Sequence, residues 1–168
     1  MNQQINEIFD RYQQSGILID TNILLLYFVG SYDIQQISKF KRTKKFVIED
    51  YRLLRRIWKS FQKIVTTPHI LTEVSNWGNQ LAQHHWPGFY EQFASKIKLL
   101  EEHHQPAQAL SQTEYFSKFG LTDTGIVQLV QGQYLVLTDD FRLSQYLSNI
   151  QIDAINFNHI RMYNWSKP

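Results

Sequence analysis

The chain has 168 residues, a formal net charge of +2, 43% apolar and 14% aromatic residues, and no cysteine. That length suits one domain with a real core, and the missing cysteine excludes disulfides, thiolate nucleophiles, zinc fingers and iron–sulfur clusters. No uncharged apolar run approaches the ~18 residues of a membrane span, and Met1-Asn2-Gln3-Gln4-Ile5 lacks the basic and apolar regions of a secretion signal; the expected compartment is therefore the cytoplasm, with no membrane partner.

In chain order, residues 2–14 read as a helix. Gly16 then opens Ile17-Leu18-Ile19-Asp20, a short apolar run that reads as a buried strand. Thr21-Asn22 turns the chain into an apolar helix over Ile23–Val29. The spacing of Phe46, Leu53, Leu54, Ile57, Trp58 and Phe61 predicts a helix over 46–63, and Ile64-Val65-Thr66 is a β-branched strand. Thr67-Pro68 is an N-cap followed by proline at the first helical position. Further helices are expected over 88–102 and 111–119. Thr122 is expected to cap a helix over 123–131 that Gly132 ends. Residues 134–138 form a strand, 140–148 a helix and 152–157 a last strand, and 158–168 are an aromatic tail that packs back on the core. Strands alternating with helices predict an α/β sandwich around a parallel sheet, in one domain over 1–168.

The charge is informative once divided. Lys39 to Lys63 holds ten basic residues and two acids, a net +8, which leaves −6 on the remainder. Such asymmetry points to a polyanionic partner, and a solvated helix face is the structural alternative. Within this segment Lys41, Arg42, Lys44, Lys45, Arg52, Arg55 and Arg56 are the candidate nucleic-acid-binding residues.

In open α/β sheets, ligands bind beyond the carboxyl ends of the strands. Asp20 closes the first strand, and Asp139 and Asp140 follow the strand that ends at Thr138. Each has a structural alternative as a turn or helix cap. At ~100° per residue, Asp123 shares the arc of Ile126, Val127 and Val130, the buried face of its own helix. A buried carboxylate there needs a cation or a proton. Glu73 sits at the margin of the Ile70, Val74, Trp77 and Leu81 stripe. Acids gathered at one end of a sheet repel one another unless divalent cations or raised pKa values relieve them. Oxygen-only ligands select hard ions, chiefly Mg²⁺ or Mn²⁺.

These segments resemble the motifs of PIN-domain ribonucleases. Leu18-Ile19-Asp20-Thr21-Asn22-Ile23-Leu24-Leu25 looks like the first motif, and Thr67-Pro68-His69-Ile70-Leu71-Thr72-Glu73-Val74 like the second. Leu121-Thr122-Asp123-Thr124-Gly125-Ile126 is similar to the third, and Val136-Leu137-Thr138-Asp139-Asp140 resembles the fourth. The resemblance implies a three-layer α/β/α sandwich with about five parallel strands. It implies Asp20, Glu73, Asp123 and Asp140 as metal-binding and catalytic carboxylates. Asp139 is the alternative to Asp140, and Asn22 and Thr138 are polar supports. It further implies Mg²⁺- or Mn²⁺-dependent endonucleolytic cleavage of RNA. Many small bacterial members are VapC-like toxins, which form homodimers and are blocked by a cognate antitoxin, typically a neighbouring-gene protein. One departure stands out. Fifty-two residues lie between Asp20 and Glu73, longer than the usual toxin spacing, and the excess is the basic segment, a helical insertion at about 31–63.

Other readings remain beside this one. The chain can be a catalytically idle PIN-like module that binds RNA or a partner protein, or a DNA or flap nuclease. The six histidines show no metal-ligand spacing and read as surface or capping residues, with His69 the one placed to approach the site. The Trp and Tyr residues read mostly as core, with Tyr27, Trp77 and Trp86 nominated for base stacking.

Overall fold

The computed structural model describes residues 3–165, with side chains through Met162. Helix α1 (Gln3–Tyr12) leads into strand β1 (Ile17–Ile19), which is fully buried. Helix α2 (Thr21–Tyr32) starts directly on Asp20, with no intervening turn. It is buried on every side over Ile23–Gly30, as expected of a helix apolar all round. Short helix α3 (Gln36–Lys39) and a run of turns lead to α4 (Ile48–Ser60). Helix α4 buries Tyr51, Leu53, Leu54 and Ile57 and exposes Arg52, Arg55, Arg56 and Lys59. Strand β2 (Ile64–Thr66) is followed by α5 (Pro68–Gly78), whose first turn is closed by Ile70 N–H donating to the Thr67 hydroxyl.

The second half runs through α6 (Trp86–Ile97), β3 (Glu101–Glu102), α7 (Ala107–Leu110) and α8 (Phe116–Val130). Strand β4 (Leu135–Thr138), α9 (Phe141–Asn149), β5 (Ala154–Asn156) and α10 (Phe157–Trp165) complete it. The strands form one parallel sheet in the order β3-β2-β1-β4-β5. The result is the expected three-layer α/β/α sandwich with five parallel strands.

Parallel crossovers are right-handed. The chain moves one way along the sheet from β1 to β3, then returns to β4 and moves the other way. Helices α2 to α6 therefore cover one face and α7 to α9 the other. Accordingly, α2 packs on α4, α5 and α6, and α9 on β4 and β5. The direction reverses between neighbours β1 and β4. Switch points of this kind are where open α/β sheets bind ligands, beyond the carboxyl ends of the strands.

Four sequence expectations need correction. The helix over 88–102 stops at Ile97, and Glu101–Glu102 instead form edge strand β3. Two charged residues on a sheet edge carry no apolar alternation to detect. The helix over 111–119 starts only at Phe116, after turns. Thr122 does not cap its helix: the break lies at Gly120 (φ 71°, ψ −170°), and Thr122 is already helical. The last strand is 154–156, because Phe157 opens α10. That helix packs on α4 and β5, with Ile160 and Arg161 buried, as the tail was expected to do; residues 166–168 lie outside the described residues.

The backbone of Gly120 lies in a region open essentially to glycine alone. A Cβ there would meet nothing within 4 Å, so the penalty of a side chain is purely conformational. Gly120→Ala is expected to destabilise the protein by about 1–3 kcal/mol, measured by urea unfolding at an unchanged slope. An unchanged midpoint would contradict the assignment.

Candidate active site

Asp20 and Asp140 stand just past the carboxyl ends of the neighbouring strands β1 and β4. Asp20 N–H bonds Leu137 O at 2.9 Å, which ties the end of β1 to β4. Asp20 is only 6% exposed. Its Oδ1 accepts the Thr21 N–H at 2.6 Å and its Oδ2 accepts the Thr138 hydroxyl at 2.5 Å. The same Thr138 oxygen accepts Asp140 N–H at 2.9 Å. Asp140 Oδ1 then caps α9 by accepting Arg142 N–H at 2.7 Å and Leu143 N–H at 3.1 Å. Asp20 and Asp140 are thus both helix caps, of α2 and α9.

The other two acids come from the two faces of the sandwich. Glu73 on α5 accepts the Thr21 hydroxyl at 2.9 Å. Asp123 follows Gly120 by three residues on α8, and among the described residues its carboxylate takes no hydrogen bond. Helices α5 and α8 meet here. They form an open cleft of about 420 Å³ lined by His69, Thr72, Glu73 and the 119–123 segment. His69 Nε2 lies 3.2 Å from Gln105 O, which orients its ring on the cleft wall.

Two carboxyls carry the electrostatic signature of this gathering. Burial pushes Asp20 up to about 6, opposed by its bonds from Thr138 and Thr21 and reinforced by the charges of Asp139 and Asp140. Burial pushes Asp123 up to about 7, reinforced by the charges of Asp20, Asp140 and Glu73 and eased by Arg142. Asp20, Glu73, Asp123 and Asp140 therefore share one electrostatic neighbourhood.

The supports differ from expectation. Asn22 makes no hydrogen bond to the acids among the described residues, whereas Thr21 holds Glu73. The reason is the helix start: α2 begins at Thr21, and the next residue is turned ~100° away. Asp139 carries a second engagement, with the insertion. Its side chain is 3% exposed, and Oδ2 pairs with the Lys45 ammonium from the basic insertion. The buried Oδ1 has no hydrogen-bond partner. Asp139 thus pairs with Lys45 and adds to the field at Asp20, while Asp140 adds to the field at both Asp20 and Asp123.

The basic candidates are all exposed, but several have partners. Arg42 donates to Gln80 Oε1 at 2.9 Å and lies over Trp77. Arg52 pairs with Glu49 at 3.2 Å, and Arg55 lies over Tyr51. Among the nominated stacking residues, Tyr27 is buried and stacked on Trp58 at 3.8 Å. The Trp86 indole donates to Leu81 O at 3.0 Å. These rings are structural, a distinction that spacing alone does not make.

Among the described residues, no three acidic or histidine side chains are arranged to hold a metal ion together. The five expected ligands Asp20, Glu73, Asp123, Asp139 and Asp140 do not form a closed cage. The donor set still suits a hard divalent cation, being all oxygen, with Asp123 half-buried and lacking a hydrogen-bonded partner. Mg²⁺ keeps several waters and is commonly held by one or two carboxylates, which matches acids that face one another without converging. No family model matches the chain, and no curated protein matches it.

Raised carboxyls make the folded state bind more protons than the unfolded chain between about pH 4 and pH 7. Their destabilising effect is absent below about pH 4, grows as pH rises, and is complete above the folded values near 6 and 7. Asp123→Asn should therefore match the wild-type Tm near pH 4 and exceed it at pH 8, by about 2–4 °C for each kcal/mol relieved. Mn²⁺ should raise the wild-type Tm at pH 8 more than that of the variant. A gap between the two proteins that stays flat with pH would sink this account.

Proposed function

We propose that the protein is a Mg²⁺- or Mn²⁺-dependent endoribonuclease of the PIN type that hydrolyses phosphodiester bonds in RNA. The observation that carries the reading is the meeting of Asp20, Glu73, Asp123 and Asp140 at the sheet's switch point, with Asp123 pushed up to about 7. Asp20, Asp123 and Asp140 would hold the ion directly or through water. When bound, it supplies Lewis-acid stabilisation of charge on the phosphoryl oxygens. Glu73, steadied at Oε2 by Thr21, orients the attacking water and accepts its proton. Water oxygen bonds to phosphorus as the leaving oxygen departs, so no Ser or Cys nucleophile is needed.

The exposed cations of the insertion hold the polyanion. The same face suits an acidic antitoxin or other neighbouring-gene protein, and by the family's habit the chain would act as a homodimer in the cytoplasm. A catalytically idle RNA- or protein-binding module is the second reading. It is favoured by the lack, among the described residues, of an assembled three-acid ligand set.

A Mn²⁺ titration with labelled single-stranded RNA, run in parallel with DNA, separates these readings. The expected result is RNA cleavage that Asp20→Asn abolishes without loss of fold. Binding without cleavage makes the protein a module, and cleavage retained by pure Asp20→Asn protein overturns the site. Charge reversal of Arg42, Lys44 and Arg52 should weaken RNA binding and flatten its salt dependence by about 0.7 in log–log slope per lost contact to a single strand. Unchanged affinity and slope would remove the insertion from the RNA-binding surface.

A further inference from the structure

On its α8 side the cleft is bounded by Phe119 and Gly120, and beyond them lies a patch with no role so far. Lys118 Nζ sits 5.0 Å from the centroid of Phe119 and 4.8 Å from that of Tyr146. The Arg142 guanidinium lies 5.3 Å from the Phe119 centroid, and its Nη2 donates to Lys118 O at 2.9 Å. Phe119 and Tyr146 pack at 4.7 Å. Arg142 thus clamps the first turn of α9 to the segment before Gly120. Between Asp140 and Arg142 stands Phe141, which is 65% exposed. Among the described residues no aromatic ring or cation covers it.

A large apolar ring held in solvent at the start of α9, one residue before an arginine that joins Lys118 at Phe119, matches the chemistry of a nucleotide. Base faces stack on aromatic rings and phosphates pair with Lys and Arg. The exposed apolar element is a single ring, small for a protein-docking surface, and the Lys118 and Arg142 cations gathered on Phe119 favour a polyanion.

We propose that Phe141, next in the chain to Arg142 and its contacts with Phe119 and Lys118, is a platform for one unpaired base and its phosphate next to the cleaved bond. This rests on the nuclease reading and goes beyond it. The protein then requires an unstacked base at one fixed position, which an A-form duplex does not offer.

The test uses the full chain in the Asp20→Asn background for binding and the wild-type background for cleavage. The probes are a labelled single-stranded RNA, its duplex, and single-stranded forms carrying one abasic nucleotide at successive positions. Phe141→Ala should weaken single-strand binding about 5- to 150-fold, the range for loss of one base stack. Phe141→Trp should restore it, and duplex binding should not change. One abasic position should erase the difference between Phe141 and Phe141→Ala. Equal single-strand affinity in both, in a protein that cleaves RNA, overturns the platform and leaves the nuclease standing; the exposed ring is then free to contact a protein partner. A wild-type protein that neither binds nor cleaves RNA overturns both.

Discussion

The Thr138 hydroxyl joins the two halves of the switch point. It donates to buried Asp20 at the end of β1 and accepts the backbone N–H of Asp140 beyond β4. One oxygen thereby sets the position of two acids 120 residues apart in sequence. Everything proposed for the site depends on that bridge. Asp20 lies too deep to be left without partners, and its charge in turn helps to push Asp123 upward.

The insertion is joined to the same end of the sheet. Lys45 pairs with Asp139, and the Lys45 carbonyl accepts Arg161 Nη2 at 2.9 Å. Arg161 also pairs with buried Asp50 at 3.0 Å and lies over Phe46, which packs on Phe157. Buried pairs of this kind position elements more than they stabilise them, because desolvation offsets much of the attraction. Here they position the basic segment beside the acids. The +8 segment and the acid-rich remainder meet at one end of the fold.

Structural and functional readings of the acids turn out to be compatible. Asp20 and Asp140 cap helices, yet each carboxylate also lies within the electrostatic reach of Asp123. A capping carboxylate spends one or two lone pairs on N–H groups and retains others. Asp139 differs from its neighbour: it caps no helix and pairs with Lys45 of the insertion, while its charge also reaches Asp20.

The sequence by itself determined the parallel α/β class, four of the five strands, the strand-end placement of Asp20 and Asp140, and the half-buried face of Asp123. These follow from local periodicity and turn chemistry, which neighbouring residues carry in full. It also marked the basic segment through simple charge counting. Only the tertiary structure decided the rest. It showed that Glu101–Glu102 pair with β2, that Thr21 rather than Asn22 holds Glu73, and that Lys45 reaches Asp139. It also brought Lys118, Phe119 and Arg142 together beside the cleft. Each of these is a contact between elements distant in the chain. Such contacts depend on helix start points and crossover directions, and a shift of one residue or one turn would redirect every side chain involved.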